Sequence, residues 1–274
     1  MTRCFHSNSA ELSLYEEANK EGWRRDPWNP VPHILHSFNR DDARFLCMEQ
    51  LMKYNKPPLL TLANYVDFFR QILEGLTFLH EKSIALGTCS DTRTFMVDLS
   101  SGRSNSKSSY PDLATTFDRS LLPVKYYFTD LSKAQKVRSG DALKRDVQDC
   151  AILFDVLLSD VWLPQVTTKF QNLTKSMLSG TFGADDSRKL LEAMCRSIDG
   201  RLFGAAVDGS SILSLRPSTG ECCETESPHR QTMSLPMTPG TDDPGSFVNE
   251  PGSGRNQRVR HANSYPLPEP LSPC

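Results

Sequence analysis

Apolar positions recur at helical spacing through Leu62, Tyr65, Val66, Phe69, Ile72, Leu73, Leu76 and Leu79, so this stretch predicts one long amphipathic helix. Thr61 stands where a side-chain oxygen caps a first turn, and Pro57-Pro58 just upstream keeps a helix from starting earlier. A second helix is expected from about Lys144 to Leu158, with two more over Phe170–Met177 and Ser187–Phe203. Strand signals are shorter. Phe45–Met48, Thr94–Val97 and Val124–Thr129 are β-branched or aromatic runs bounded by turn residues. The last two flank the polar stretch SSGRSNSKSS at Ser100–Ser109, which reads as a loop, and they are expected to pair as an antiparallel ribbon packed on the helices.

The pattern fades after the last helix. From Ser214 to Cys274 there are 61 residues with 10 of the 18 prolines, 8 serines and only Phe247 and Tyr265 as aromatics. Such a segment buries too little to offset the entropy of ordering it, so a disordered tail is expected. The predicted organisation is an incomplete amino-terminal lobe at 1–44, a main lobe at 45–213 and the Ser/Pro-rich tail at 214–274. Ser227-Pro228, Thr238-Pro239 and Ser272-Pro273 in that tail are the dipeptides that proline-directed kinases phosphorylate.

Charge and cysteine usage narrow the partners. Thirty-one cations against 33 acids give a formal charge of -2, which supplies no overall basic field for nucleic acid or anionic lipid. The longest apolar run, Cys150–Leu158, is interrupted by Asp155 and is far shorter than the roughly 18 residues of a membrane span. Met1–Glu17 lacks the apolar block of a secretory signal, so the expected compartment is cytoplasm or nucleus, with protein partners, no nucleic acid and no membrane. Eight cysteines, at 4, 47, 89, 150, 195, 222, 223 and 274, form no CxxC pair, which argues against a disulfide framework or structural zinc. Cys47 and Cys150 sit in apolar runs and are expected to be small buried hydrophobes.

The order of strand, hinge-like stretch, long helix ending in LTFLHE, short strand, strand ending in Asp-Leu-Ser and then helix resembles the carboxyl lobe of a eukaryotic protein kinase. The chain is most similar to a divergent kinase-like family of fungi, over roughly residues 33–205. Asp41–Met52 (DDARFLCMEQLM) resembles the last amino-lobe strand and the adenine hinge. Tyr65–Ala85 resembles the helix leading to the catalytic loop. Pro123–Ser132 (PVKYYFTDLS) resembles the strand that delivers the magnesium-binding aspartate, and Leu143–Leu158 the central helix. The resemblance implies an α+β, protein-kinase-like fold, with Glu49, Leu51 and Met52 at the hinge, Asp130 as metal ligand and Asp146 as the acid supporting the catalytic loop.

Kinase chemistry needs an aspartate to orient the substrate hydroxyl, an asparagine and a second aspartate on Mg²⁺, a lysine on the phosphates and a glycine-rich cover. At the two catalytic-loop positions this chain carries Thr88 and Arg93. A threonine hydroxyl is too weak a base near neutral pH, and a guanidinium has no lone pair for magnesium. Asp91 is acidic but lies three residues past the required position. Asp130-Leu131-Ser132 keeps the carboxylate of Asp-Phe-Gly and loses its glycine. Only Lys133–Leu143 stands where an activation and substrate-docking segment would be, and no Ala-Pro-Glu follows. Residues 1–44 hold no GxGxxG and no strand resembling VAIK. Lys20 lies in a polar context unsuited to a phosphate-binding strand.

Each sharp reading has a plain structural counterpart. An acid at a strand end, such as Asp130, caps a turn. His33 and His36 ligate a metal only if they share a helical face, and packing is the favoured role. Lys133, Lys136, Arg138, Lys144 and Arg145 form a basic cluster that receives a phosphate or an acidic peptide, or is simply solvated surface. The expectation is therefore a catalytically inactive pseudokinase acting as a binding or scaffold module, with no cofactor. The alternatives are a residual ATP-dependent serine/threonine kinase using Mg-ATP, and a decayed chain that does not fold stably.

Overall fold

A computed structural model describes residues 1–99, 119, 123–159, 164–204 and 207. All of them belong to one compact unit. The Ser100–Ser109 loop and the tail with its Ser-Pro and Thr-Pro dipeptides lie outside the described residues. Secondary structure is mixed, with small antiparallel sheets beside long helices.

The amino-terminal region builds a sheet. Strand β1 (Thr2–His6), β2 (Ile34–Arg40) and β3 (Ala43–Met48) are arranged in the order β1-β3-β2, with Cys4 opposite Phe45 and Phe38 opposite Phe45 on the other side. Between β1 and β2 runs helix α1 (Ala10–Ala18), whose first turn is capped by Ser9 accepting from the Leu12 amide. Its Leu12, Leu14, Tyr15 and Ala18 are buried, and Arg44 of β3 pairs with its Glu16 at 2.8 Å. A single turn, α2 (Glu21–Arg24), follows. The incomplete lobe predicted for 1–44 thus contains two strands and a helix that pattern reading overlooked. Because Ile34–Arg40 is a strand, His33 and His36 share no helical face: His33 lies against the Tyr127 ring and His36 against Phe38. Cys47 is only half-buried, beside the Thr2 hydroxyl, whereas Cys150 is fully buried as expected.

The remaining core forms around α3 (Leu62–Glu81), close to the predicted span. Thr61 accepts from the Asn64 amide while the Asn64 side chain returns to the Thr61 amide, a reciprocal cap. Strands β4 (Met52–Lys53), β6 (Phe95–Asp98) and β7 (Lys125–Phe128) make a second antiparallel sheet in the order β4-β6-β7, and β5 (Ile84–Ala85) pairs with β8 (Gln135–Lys136). The predicted ribbon is the β6–β7 pair, with Phe95 opposite Phe128 and Val97 opposite Tyr126. Thr94, predicted as its first strand residue, instead closes the 3₁₀ turn Thr92–Thr94, because its hydroxyl donates to the Thr88 carbonyl.

Helix α4 (Asp141–Leu158) starts one turn before the predicted Lys144, and α5 (Pro164–Leu178) is longer than Phe170–Met177. The single helix predicted for Ser187–Phe203 is two pieces, α6 (Ala184–Arg196) and a 3₁₀ turn at Gly200–Gly204, broken where the Ser197 amide turns back to the Met194 carbonyl. Aromatic contacts tie α3 to its surroundings: Phe69 stacks on Phe154 of α4 at 3.9 Å, and Phe68 meets the Tyr126 ring at 4.9 Å.

Candidate functional site

The loop leaving α3 is fixed from below by one carboxylate. Asp146, 1% exposed in α4, accepts hydrogen bonds from the amides of Leu86 at 2.7 Å and Gly87 at 2.8 Å. His80 Nε2, at the end of α3, stands 3.1 Å from the same carboxylate, where an N–H on that nitrogen donates to it. A buried anion requires such a set of donors. Gly87 has φ +70°, and Lys133 Cβ lies 3.2 Å from where a side chain would begin, so both conformation and space select glycine.

Above this anchor Thr88 and Asp130 are bonded to each other, and Arg93 is bonded to Asp91. Thr88 is 5% exposed, and its hydroxyl donates to the Asp130 carbonyl at 3.2 Å. The Thr88 carbonyl accepts from the Thr94 hydroxyl and the Asp91 amide, and the Thr94 carbonyl accepts from the Thr129 amide at 2.8 Å. Asp130 Oδ1 accepts from the Ser132 amide at 3.0 Å, which is the turn-capping role. Arg93 points outward, with a side chain 88% exposed, and grips Asp91 through Nε and a terminal nitrogen at 3.1 and 2.7 Å. Those hydrogen bonds hold the Asp91 carboxyl down to about 2. Asp91 is thereby committed to Arg93.

A second constellation, unseen in the sequence, covers the end of β7. Arg3 of β1 pairs with Glu11 of α1 at 3.1 Å, and Arg3 also donates to the Tyr15 hydroxyl at 2.7 Å and to the Thr129 carbonyl. The Tyr15 hydroxyl donates to that same carbonyl at 2.8 Å, and the Leu131 amide donates to Glu11 at 3.3 Å. Burial pushes the Tyr15 phenol far above its ordinary value. One cation, one acid and one phenol thus bracket Asp130 through the backbone on either side of it. Two weak signals were available: Arg3 and Phe5 alternate with exposed residues, and Leu12 and Tyr15 are spaced by three behind Ser9. Lys20, in its polar context, is the residue preceding α2 and stands on no strand.

Of the hinge candidates, Glu49 and Leu51 lie between β3 and β4, and Met52 opens β4. Leu51 is buried, Glu49 is partly exposed, and Met52 pairs with Val97 of β6. Two surface concavities, one around Cys4, His6, Arg40 and Asp41 and one around Asn19, Glu21, Arg24 and His33, include none of Glu49, Leu51, Met52, Thr88, Arg93 or Asp130. Thr88, Arg93 and Asp130 together offer a hydroxyl, a guanidinium and one carboxylate already capping a turn. Of the three, only the Asp130 carboxylate is an anionic oxygen ligand of the kind Mg²⁺ takes, and its Oδ1 already accepts from the Ser132 amide. No helix among the described residues is long and apolar enough to cross a membrane.

Compared with known proteins, the chain matches no family model and no curated sequence.

Proposed function

We propose that this chain is a protein-kinase-like module in which the phosphotransfer positions serve to hold the loop rather than to act on substrate, so that it works as a binding or scaffold unit. The observation that carries this reading is Thr88 and Arg93 at the catalytic-loop positions, one bonded to the Asp130 carbonyl and the other clamped to Asp91. Two further features support the kinase resemblance. Asp146 holds the backbone of the loop, as the supporting acid of that family does. Arg3 on a strand pairs with Glu11 on a helix beside Asp130, a relation like that of the lysine–glutamate pair required in kinases. Here the cation is arginine, and its donors are taken by Glu11, Tyr15 and Thr129.

Incubation of the full chain with Mg-ATP and a generic protein substrate tests the proposal. Phosphate transfer no greater than that of a Thr88→Ala control is expected, and transfer that depends on Thr88 or on Asp130 overturns it. The residual-kinase reading needs Asp91 or Asp130 to act as base or ligand, and it predicts a thermal shift with Mg-ATP that Asp130→Ala abolishes. A cooperative melt by circular dichroism disposes of the reading as a decayed, unfolded chain.

A further inference from the structure

Strand β2 is an edge strand, since the order β1-β3-β2 gives it a partner on one side only among the described residues. The ladder fixes which of its backbone groups face out. Met1 donates to the Met48 carbonyl and the Met48 amide to the Met1 carbonyl, so by alternation Met48, Leu46 and Arg44 aim their backbone groups at β1, and Cys47, Phe45 and Ala43 aim theirs at β2. Opposite these last three on β2 stand His36, Phe38 and Arg40. Ser37 and Asn39, lying between them, therefore turn their amides and carbonyls outward, where they meet no partner among the described residues. Leu35 and Phe38 are 60% and 43% exposed, and Phe38 stacks on Phe45 at 5.0 Å. No acid lies within β2, but its two ends differ in charge. At its start Arg24, Arg25, Glu21 and His33 line one concavity: Arg25 pairs with Glu21, Glu49 and Lys125 act on His33 with opposite sign, and Arg24 has no ion pair among the described residues. At its end Arg40 pairs with Asp41 at 4.0 Å beside His6, and Asp42 has no ion pair among the described residues.

We infer that the outward edge of β2 pairs with the same edge of a second copy of this chain, antiparallel about a two-fold axis through Phe38, so that one sheet runs through a closed dimer. An unpaired edge carrying exposed apolar side chains is a template for such pairing. In this register Ser37 of each copy meets Asn39 of the other, and one symmetry operation satisfies the outward groups of both. Phe38 meets its counterpart at the intervening position, where side chains on antiparallel strands come closest, and the two Phe38–Phe45 stacks join into one apolar row. Arg40 falls opposite His36 of the other copy, which keeps the two guanidiniums apart. The antiparallel arrangement also carries the Asp41–Asp42 turn of each copy to the start of the other's β2, where Arg24 is unmatched, whereas a parallel one sets the two acidic turns together. This complementarity between the two ends of one strand selects a second copy over a foreign strand. The inference goes beyond the proposed binding role and does not depend on the kinase resemblance.

Sedimentation equilibrium of the full chain over a wide range of concentration tests this, with hydrogen exchange read at the two extremes. A monomer–dimer equilibrium that stops at two copies is expected. Phe38→Lys sets two ammonium groups together on the axis, and Asn39→Pro removes an outward N–H that no bond among the described residues uses; each weakens the dimer on the order of tenfold or more. Asn39→Ala loses the same side-chain bond to Arg44 but keeps that N–H, and Val156→Lys places a cation at another exposed apolar position, on α4, so both associate as the wild type does. In the wild type, amide protection at Ser37 and Asn39 rises with concentration far more than at His36 and Phe38, whose amides face β3, a readout that needs no variant to fold. A monomer at every concentration, assemblies that grow beyond two copies, a dimer indifferent to Phe38→Lys and Asn39→Pro, or protection at Ser37 and Asn39 that does not change with concentration overturns the inference.

Discussion

At the scale of single residues the decisive group is Asp146, whose carboxylate joins the loop at Leu86–Gly87 to α4 and to His80. Asp146→Ala strands two amides, one of them buried, at roughly 1–3 kcal/mol each, so a loss of about 3 kcal/mol is expected. Asp146→Asn keeps one acceptor oxygen but turns an NH₂ toward a donor, and falls between the two. A urea midpoint lowered at unchanged slope is the measurement, and an Asp146→Ala midpoint equal to the wild type refutes the role. His33 supplies one part of the pH dependence. Burial, followed by the positive charges of Arg24 and Lys125 and against the pull of Glu49, lowers its imidazole value. The unfolded chain therefore takes up this proton first, and stability falls as pH drops from 7 through the ordinary value of about 6.5 toward the lowered one. In His33→Gln that part of the slope is absent, which parallel denaturation series at pH 7 and below 6 detect. Asp146 was legible as a motif position, but its donors were not, because they are brought to it by folding across some sixty positions.

At the scale of elements, legibility followed burial pattern. The long helix α3 showed its apolar stripe and its cap because one face is packed along its whole length. The β6–β7 ribbon was legible from its aromatic runs. Helix α1 was hidden: only Leu12, Leu14, Tyr15 and Ala18 face the core, diluted by Glu11, Glu16 and Glu17. Strand β2 was hidden for the opposite reason, since most of its side chains are exposed and its pairing is set by β3 rather than by alternation of its own. Gly75 tests the packing of α3. A methyl there would lie 2.8 Å from Pro30 Cβ and 2.9 Å from Phe128 Cζ. Gly→Ala in an unobstructed helix gains up to about 1 kcal/mol, while overpacking a core costs about 1–3 kcal/mol. Neither obstacle is the end of a flexible chain, and the Phe128 amide is bonded to the Pro30 carbonyl, so the clash outweighs the propensity gain. Gly75→Ala is expected to lower the melting temperature, and a raised one shows that Pro30 and Phe128 yield.

At the scale of the whole folded unit, the question is how a sheet made of the first 48 residues is fastened to the end of β7, more than 80 residues later in sequence. The contact is polar and shared: Arg3, Tyr15 and Glu11 engage the Thr129 carbonyl and the Leu131 amide from two different elements. Because Thr129 accepts from both Arg3 and Tyr15, removing one donor leaves the carbonyl satisfied, and removing both leaves it without either. Tyr15→Phe is therefore expected to cost about 1 kcal/mol, Arg3→Met a similar amount beyond its lost ion pair with Glu11, and the double variant more than the sum. Glu11→Gln retains an acceptor for Leu131 but loses the charge that holds Arg3. Hydrogen exchange reads the clasp directly. The Leu131 amide and the β1 amides should exchange faster together in the double variant, while amides in the middle of α3 stay protected, because the opening is local rather than global. Strict additivity of the two substitutions, or unchanged protection at Leu131, means that the sheet is held by the apolar packing of Phe5, Leu12 and Leu46 alone and that the clasp is incidental to the fold.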